Sequence, residues 1–240
     1  METSRGEDKS ISEKIVIAMF GGTSKKLNQI ELFSRFGLIA KSIVMTPSGG
    51  RTEDMKLFHI DFEEMVRTDV TEENGTVRPI VFEDSELYAY FADHEFLCIL
   101  FEEAKSSVVE ESPGFFIKIP HKLRDNKFIG FKRLVFSDQF IEEMVKPVWE
   151  DARNKVLNKT LEDVVEYRHD GSIAVNKSGG IRSAPNFIKS KDNDVFIRGS
   201  GKNSSLRYKI ECINGIRMLP QYVWIRGTAV IDELKNTPEL

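Results

Sequence analysis

The sequence is poor in cysteine and has no long hydrophobic run. Only two cysteines, Cys98 and Cys212, occur among 240 residues. Each lies in an apolar segment, so we expect two buried thiols in a reducing compartment and no disulfide framework. No run of about 18 apolar residues is present, and the N-terminal segment METSRGEDKS lacks the apolar core of a signal peptide. These absences predict a cytoplasmic protein that has no membrane partner.

Charge of one sign does not dominate the chain, but it is unevenly distributed. The formal net charge is −4 at pH 7. Residues 172–227 nevertheless contain ten basic and three acidic residues, a net charge of about +7, which leaves about −11 for the remainder. Such a separation is typical of a surface that binds a polyanion, although a solvated basic face gives the same pattern. Five of the ten cations are arginines, whose planar forks suit phosphates and guanine edges.

Hydrophobic periodicity predicts a mixed α/β fold of the α+β type, with a central mixed sheet flanked by helices. Residues 1–12 are expected to be a flexible leader and residues 13–240 one domain, whose basic half spans about 172–227. Predicted helices cover residues 13–20, 83–91 and 227–235, and a further helix capped by Ser137 is expected to kink at Pro147. Predicted strands cover residues 37–45, 55–62 (returning beside 37–45), 95–103, 115–119, 128–136, 194–199, 206–211 and 221–227.

The predicted strand in FGLIAKSIVM, residues 36–45, has the form of a nuclease strand without its acid. Metal-dependent nucleases place a carboxylate and a lysine on one face of such a strand, in the pattern Gly-x-Glu-x-Lys. Ile39 occupies the position of the acid and cannot bind Mg²⁺, so only Lys41 remains. We therefore expect no metal cofactor and no catalysis by this chain alone. The alternative is an active Mg²⁺-dependent endonuclease whose acids have moved to Glu31, Glu53 or Asp61.

The segment FIRGSGKNSSLRYK, residues 196–209, is the strongest candidate for binding DNA. It combines cations with glycine, serine and asparagine, which leave backbone N–H groups accessible to phosphates. A solvated basic hairpin would have the same composition. Expected contacts to base edges and backbone are Arg198, Lys202, Asn203, Arg207 and Lys209. Expected phosphate contacts are Arg182, Lys189, Lys191, Arg217 and Arg226. The neighbouring aromatics Tyr222 and Trp224 are interpreted as core residues.

Five segments, taken together and in order, resemble the MutH-like family of GATC-specific endonucleases. They are GLIAKSIVM, RTEDMKLFHIDFEEM, FEDSELYAYFADHEFLCILFEE, NFIKSKDNDVFIRGSGKNS and LPQYVWIRGTAVIDEL. The first is similar to a Gly-Val-Glu-Leu-Lys-Thr strand, and the fourth to a segment that contains Asn-x-Phe, Ser-Asp-Asp and His-Val-Arg-Pro. The resemblance extends from about Lys14 to Lys235. It is greatest to the C-terminal half of the staphylococcal-type GATC restriction enzymes, which lacks the catalytic acids.

The resemblance implies a restriction-endonuclease-like fold with a two-lobed cleft that clamps duplex DNA. The catalytic acids of the family would fall at Leu32 and Ile39, so both are lost, and the lysine is Lys41. Arg198 matches the family's arginine, whereas Gly199 and Ser200 depart from the residues that follow it. The implied function is sequence-specific binding of GATC by the acid-free, allosteric domain of a type II restriction endonuclease. A protein-interaction module that docks a catalytic domain or subunit is the remaining alternative.

Overall fold

The computed structural model describes residues 11–20, 26, 35, 37–51, 53–105, 107–119, 125–176 and 179–237. The fold is mixed α+β, with several small sheets and helices. Its α-helices include α1 (Ile11–Met19), α2 (Phe62–Val66), α3 (Glu86–Ala92), α4 (Lys146–Leu157) and α5 (Gly227–Lys235). Its strands are β1 (Leu38–Met45), β2 (Met55–His59), β3 (Asp69–Thr71), β4 (Val77–Pro79), β5 (Glu95–Glu102), β6 (Ser107–Ser112), β7 (Phe115–Ile119), β8 (Lys127–Leu134), β9 (Asp163–Val165), β10 (Ser183–Pro185), β11 (Val195–Gly199), β12 (Glu211–Ile213), β13 (Ile216–Met218) and β14 (Gln221–Ile225). No helix within these ranges is long and apolar enough to span a membrane.

The chain divides into two compact units. Unit 1 comprises Met1–Glu53, Asp93–Val135 and Val230–Leu240, and unit 2 comprises Asp54–Ala92 and Phe136–Ala229. The predicted single domain over residues 13–240 stays a prediction. The expected leader lies outside the described residues as far as residue 10, and α1 begins at Ile11.

Unit 1 contains a three-stranded mixed sheet in the order β1-β5-β8. β1 runs parallel to β5, and β8 runs antiparallel to β5. Val16 and Ile17 of α1 pack on the sheet residues Ala40, Ile99 and Phe101 and form a buried apolar cluster with them. β5 is the central strand and is almost continuously apolar, and the burial of the successive residues Cys98, Ile99, Leu100 and Phe101 shows that side chains on both of its faces are covered. A separate hairpin pairs β6 with β7.

Unit 2 contains an antiparallel sheet in the order β11-β14-β2 and three two-stranded ribbons, β3-β4, β9-β10 and β12-β13. Aromatic rings fill much of its interior. Phe91 and Phe136 have ring centroids 5.0 Å apart, and Phe136 stacks on Phe140 at 4.9 Å. Phe91 and Phe136 thus meet at the two places where the chain leaves and rejoins this unit.

The irregularity expected at Pro147 lies in the turn that precedes it. The Ser137 hydroxyl accepts a hydrogen bond from the Phe140 amide at 3.1 Å, so the predicted cap is confirmed. An α-helical turn at Asp138–Phe140 then widens to a π-helix over Ile141–Val145 before α4 begins. Proline has no N–H to donate to the preceding turn, which explains why the ordinary helical bonding pattern is interrupted there.

Three local predictions are wrong. β2 does not return beside β1; it pairs with β14 in unit 2, while β1 pairs with β5. The segment predicted as a strand over 206–211 forms a 3₁₀ turn at Leu206–Tyr208, and strand structure begins only at Glu211. Cys98 is buried as expected, but Cys212 is exposed, since β12 belongs to a two-stranded ribbon.

Candidate nucleic-acid interface

The sheet of unit 2 has one apolar face and one face rich in cations and aromatic rings. Val195 and Ile197 of β11 lie opposite Ile225 and Val223 of β14, and all four are buried. Because side chains alternate along a strand, the intervening residues project from the other face. That second face, which we call the groove face, carries Phe196 and Arg198 of β11, Tyr222 and Trp224 of β14, and Lys56 of β2.

A groove of about 770 Å³ lies beside the groove face. Four of the ten predicted DNA contacts line it, namely Arg182, Arg198, Lys202 and Asn203. The remaining lining residues are Val175, Asn176, Gly199, Ser200, Gly201, Ser204, Leu219 and Trp224. The fold thus brings the GSGKNS segment, the end of β11 and the distant Arg182 together around one opening.

The backbone of the segment passes close to Leu219 at both of its glycines. A Cβ atom on Gly199 would lie 2.9 Å from the Leu219 Cβ and 3.0 Å from the Gln221 Nε2. One on Gly201 would lie 3.0 Å from the Leu219 Cδ2. Any side chain at Gly199 would therefore push this wall of the groove outward.

Arg198 is held by an ion pair and a stacked ring. Its Nη1 donates to the Asp54 Oδ2 at 2.7 Å, and its Cζ lies 3.9 Å from the centroid of the Trp224 ring. The Trp224 Nε1 in turn donates to the Arg198 carbonyl at 3.0 Å. Asp54 also accepts a long bond from the Gly227 amide at 3.4 Å. These contacts fix the guanidinium in one orientation at the edge of the groove.

Lys56 belongs to the same cluster, although sequence reasoning did not identify it. Its Nζ lies 3.3 Å from the centroid of the Tyr222 ring and donates to the Ser200 hydroxyl at 3.0 Å. Both aromatics are only half-buried, and Trp224 lines the groove, so the interpretation of Tyr222 and Trp224 as core residues is wrong. The alternation in β2, with Met55 buried, was the available signal for Lys56. That alternation does not place Lys56 beside the groove unless the pairing of β2 with β14 is already known.

The other predicted contacts are more scattered. Arg182 pairs with Glu166 at 2.7 Å and lines the groove, whereas Arg226 pairs with Asp194 at 3.2 Å and does not. Arg207 is exposed, stacks on Tyr208 with 4.6 Å between its Cζ and the ring centroid, and donates to the tyrosine hydroxyl at 2.7 Å. Lys191 and Arg217 are exposed outside the groove lining.

Two of the predicted lysines point into the protein. Lys189 donates to the Pro185 carbonyl, and burial lowers the pKa of its ammonium. The Lys209 Nζ donates to the Asp163 Oδ2 at 3.1 Å and to the Ser183 hydroxyl at 2.7 Å, and only 8% of its side chain is exposed. Lys209 therefore ties the segment after Tyr208 to the β9-β10 ribbon and is not available as a DNA contact.

Replacing Lys209 by methionine should destabilise the protein and leave DNA affinity unchanged. Methionine keeps most of the volume, but Asp163 and Ser183 lose a donor, which we expect to lower the free energy of unfolding by on the order of 2 kcal/mol. Asp163 is partly exposed, so water offsets part of the loss. Thermal melts and duplex titrations measure the two effects. The control is Lys191→Met, which changes an exposed lysine. A Lys209→Met protein with unchanged stability and weakened DNA binding would contradict the structural role of Lys209.

The nuclease-like strand is β1 in unit 1. Ile39 and Lys41 are half-buried, and Lys41 lies opposite the buried Cys98 in the β1-β5 register. Burial raises the pKa of the Cys98 thiol to about 12, and the nearby cations of Arg51 and Lys41 act in the opposite direction. The surroundings of Lys41 thus contain a thiol and a second cation.

The candidate relocated acids have other placements. Glu31 and the neighbouring Leu32 lie outside the described residues. Glu53 is exposed, and its backbone carbonyl accepts from the Arg51 Nε at 2.5 Å. Asp61 caps α2 by accepting from the Glu63 amide at 2.8 Å. Over the part of the chain that the structure describes, no three His, Cys, Asp or Glu side chains are grouped so that they could hold a metal ion.

Comparison with known proteins adds no family to this geometry. No protein-family model matches the sequence, and no curated protein matches it.

Proposed function

We propose that this chain binds double-stranded DNA sequence-specifically through the groove of unit 2. The observation that carries the proposal is the convergence of Arg182, Arg198, Lys202 and Asn203 on one groove of about 770 Å³. The target GATC, the restriction-endonuclease-like two-lobed cleft and the role as the acid-free, allosteric domain of a type II restriction endonuclease rest on the resemblance to the MutH-like family.

The residues in the groove have chemistry suited to the edges of purine bases. An arginine fork donates to the O6 and N7 of guanine, and asparagine pairs with the N6 and N7 of adenine. Arg198 and Asn203 supply these two groups, and GATC contains both purines. The Asn203 Oδ1 accepts from the Ser205 amide at 3.0 Å, which orients the side chain and leaves its second lone pair and its amide donors for a base.

The remaining cations favour the phosphate backbone. Lys202 is exposed on the wall of the groove, and Arg182 is exposed on the lining. Lys56 donates to the Ser200 hydroxyl and adds positive charge beside that lining residue. Gly199 and Gly201 carry no side chain that would keep a phosphate away from the main chain. Phosphate contacts of this kind position a duplex, while the arginine and asparagine select its sequence.

Titration of fluorescent GATC and scrambled duplexes across a salt series tests the proposal. We expect tighter binding of GATC at every salt concentration. The logarithm of both association constants should fall as the logarithm of the salt concentration rises, with a slope of about −0.9 for each phosphate neutralised. Two to four groove cations therefore predict a slope of roughly −2 to −4. Equal affinity for both duplexes across the series would refute sequence-specific binding.

A cleavage assay on the same duplexes with Mg²⁺ or Mn²⁺ separates this proposal from the endonuclease alternative. We expect no cutting. Cutting that is lost in both Glu53→Ala and Lys41→Ala would instead place a catalytic site at β1. A stable complex with a catalytic subunit, together with no retardation of DNA at low salt, would favour the interaction module.

A further inference from the structure

Three of the arginines predicted to contact DNA, Arg182, Arg198 and Arg226, pair with carboxylates, and one of these three pairs differs from the other two in its surroundings. Arg182 pairs with Glu166 and Arg226 pairs with Asp194, and in both pairs the carboxylate is more than one-third exposed. The Asp54 side chain, which pairs with Arg198, is only 20% exposed. Asp54 also accepts from the Gly227 amide, whereas the Arg198 side chain that it holds is 44% exposed at the groove.

The pairing with Asp54 occupies only one nitrogen of Arg198. Among the described residues, the guanidinium makes its hydrogen bond through Nη1 alone. Nη2 and Nε therefore remain as two parallel donors, which is the geometry of a bidentate contact. The centroid of the Trp224 ring lies 3.9 Å from the Arg198 Cζ. This contact restricts rotation of the guanidinium.

The negative charge of Asp54 has a second consequence. A carboxylate 2.7 Å from the guanidinium offsets most of its net charge as seen by a distant phosphate. Non-specific binding to DNA depends on this net charge through the release of counterions. A bidentate hydrogen bond to a base edge depends instead on the direction of the two donors, which the pair preserves.

We propose that Asp54 is a positioning residue that determines specificity: it directs Arg198 toward a base edge and suppresses its attraction to phosphates. This inference rests on the proposed binding of DNA in the groove. The charge of Asp54 lowers affinity for every sequence, whereas the orientation that it imposes on Arg198 favours the correct sequence alone, and the two effects together increase discrimination. It lies 144 residues from Arg198 in the sequence.

Two substitutions at the same position separate charge from orientation. Asp54→Asn keeps an oxygen acceptor for Arg198 but removes the charge. The affinity for the scrambled duplex should then rise about tenfold, and the salt slope should steepen by about one. Asp54→Ala removes the acceptor as well as the charge, so affinity for the GATC duplex should fall. The ratio of GATC to scrambled affinity falls in both variants, by about tenfold or more.

Matched controls are available in the other two pairs. Glu166→Gln releases Arg182, which lines the groove but is assigned to phosphates, so both affinities should rise together and the ratio should stay constant. Asp194→Asn releases Arg226 outside the groove lining and should leave the ratio unchanged. A ratio equal to that of the parent protein in both Asp54 variants would overturn the proposal. A parallel loss of both affinities together with a lower Tm would also overturn it, by showing a structural role.

A measurement without DNA keeps the inference distinct from the proposed function. In ¹⁵N NMR spectra, the Arg198 Nη1 and Nη2 signals should be resolved from each other in the parent protein and averaged into one signal in Asp54→Ala. If the parent protein binds no duplex, the proposed function fails, and resolved signals that depend on Asp54 would still establish its positioning role. Averaged signals in the parent protein would refute that role whatever the DNA titrations show.

Discussion

Replacing Arg198 by alanine is expected to weaken binding of a GATC duplex by about 10- to 100-fold. A bidentate arginine contributes about 1–3 kcal/mol of discrimination between bases, and the fork is lost completely. Asp54 would then stand at the groove without its cation and repel the backbone, which adds to the loss. Binding of a scrambled duplex should fall only a few-fold. Equilibrium titration with both duplexes, at a single stated salt concentration, measures the difference.

Two further variants show whether the loss comes from the fork or from charge. Arg198→Lys retains the charge but not the pair of parallel donors, so it should bind the scrambled duplex normally and lose its preference for GATC. Arg217→Ala removes an exposed cation of β13 outside the groove lining and should change both affinities little. If Arg217→Ala and Arg198→Ala weakened GATC binding equally, the groove would not be the recognition site.

The two cysteines are expected to differ in reactivity by a factor on the order of 10³ or more. Cys98 is fully buried on β5, and the burial raises the pKa of its thiol to about 12. At pH 8 such a thiol is ionised in about one molecule in 10⁴, and the thiolate is the reactive form. Cys212 is exposed on β12. A disulfide reagent should therefore modify one thiol rapidly in the native protein and both thiols in guanidinium.

Single substitutions assign the fast thiol. Cys212→Ser should abolish the rapid phase, whereas Cys98→Ser should leave it intact. Rapid modification of two thiols in the native protein would mean that β5 is accessible, and the packing of α1 on the β1-β5-β8 sheet would then be incorrect. Because Cys98 lies opposite Lys41, the same experiment also reports on the accessibility of the nuclease-like strand.

Strong local patterns predicted individual elements, but not their partners. The helix over 227–235 is confirmed with the same bounds, and the strand predicted over 95–103 differs from β5 by one residue. The pairing of β2 with β14 was not predictable, because alternation along a strand says which residues share a face and not which strand lies beside it. The alternation over 206–211 was misleading, since Leu206 and Ile210 are exposed and have no sheet to cover.

The site was only partly predictable for a similar reason. Counting cations identified the GSGKNS segment and Arg198, because those residues are adjacent in sequence. It did not distinguish Lys202, which is exposed at the groove, from Lys209, whose ammonium is buried against Asp163. Asp54 and Lys56 reach the groove only through the pairing of β2 with β14. Residues that act through the fold rather than through their neighbours in sequence carry no local signal.

The ring contact between Phe91 and Phe136 has a consequence for how this chain tolerates insertions. These residues flank the 93–135 excursion, and their ring centroids are 5.0 Å apart, so this excursion leaves and rejoins unit 2 at neighbouring positions. An excursion of any length closes over the same short gap. Extra residues or deletions between positions 93 and 135 therefore need not displace the strands that carry Arg198 and Trp224. One part of the molecule can diverge in evolution while the cationic groove stays unchanged.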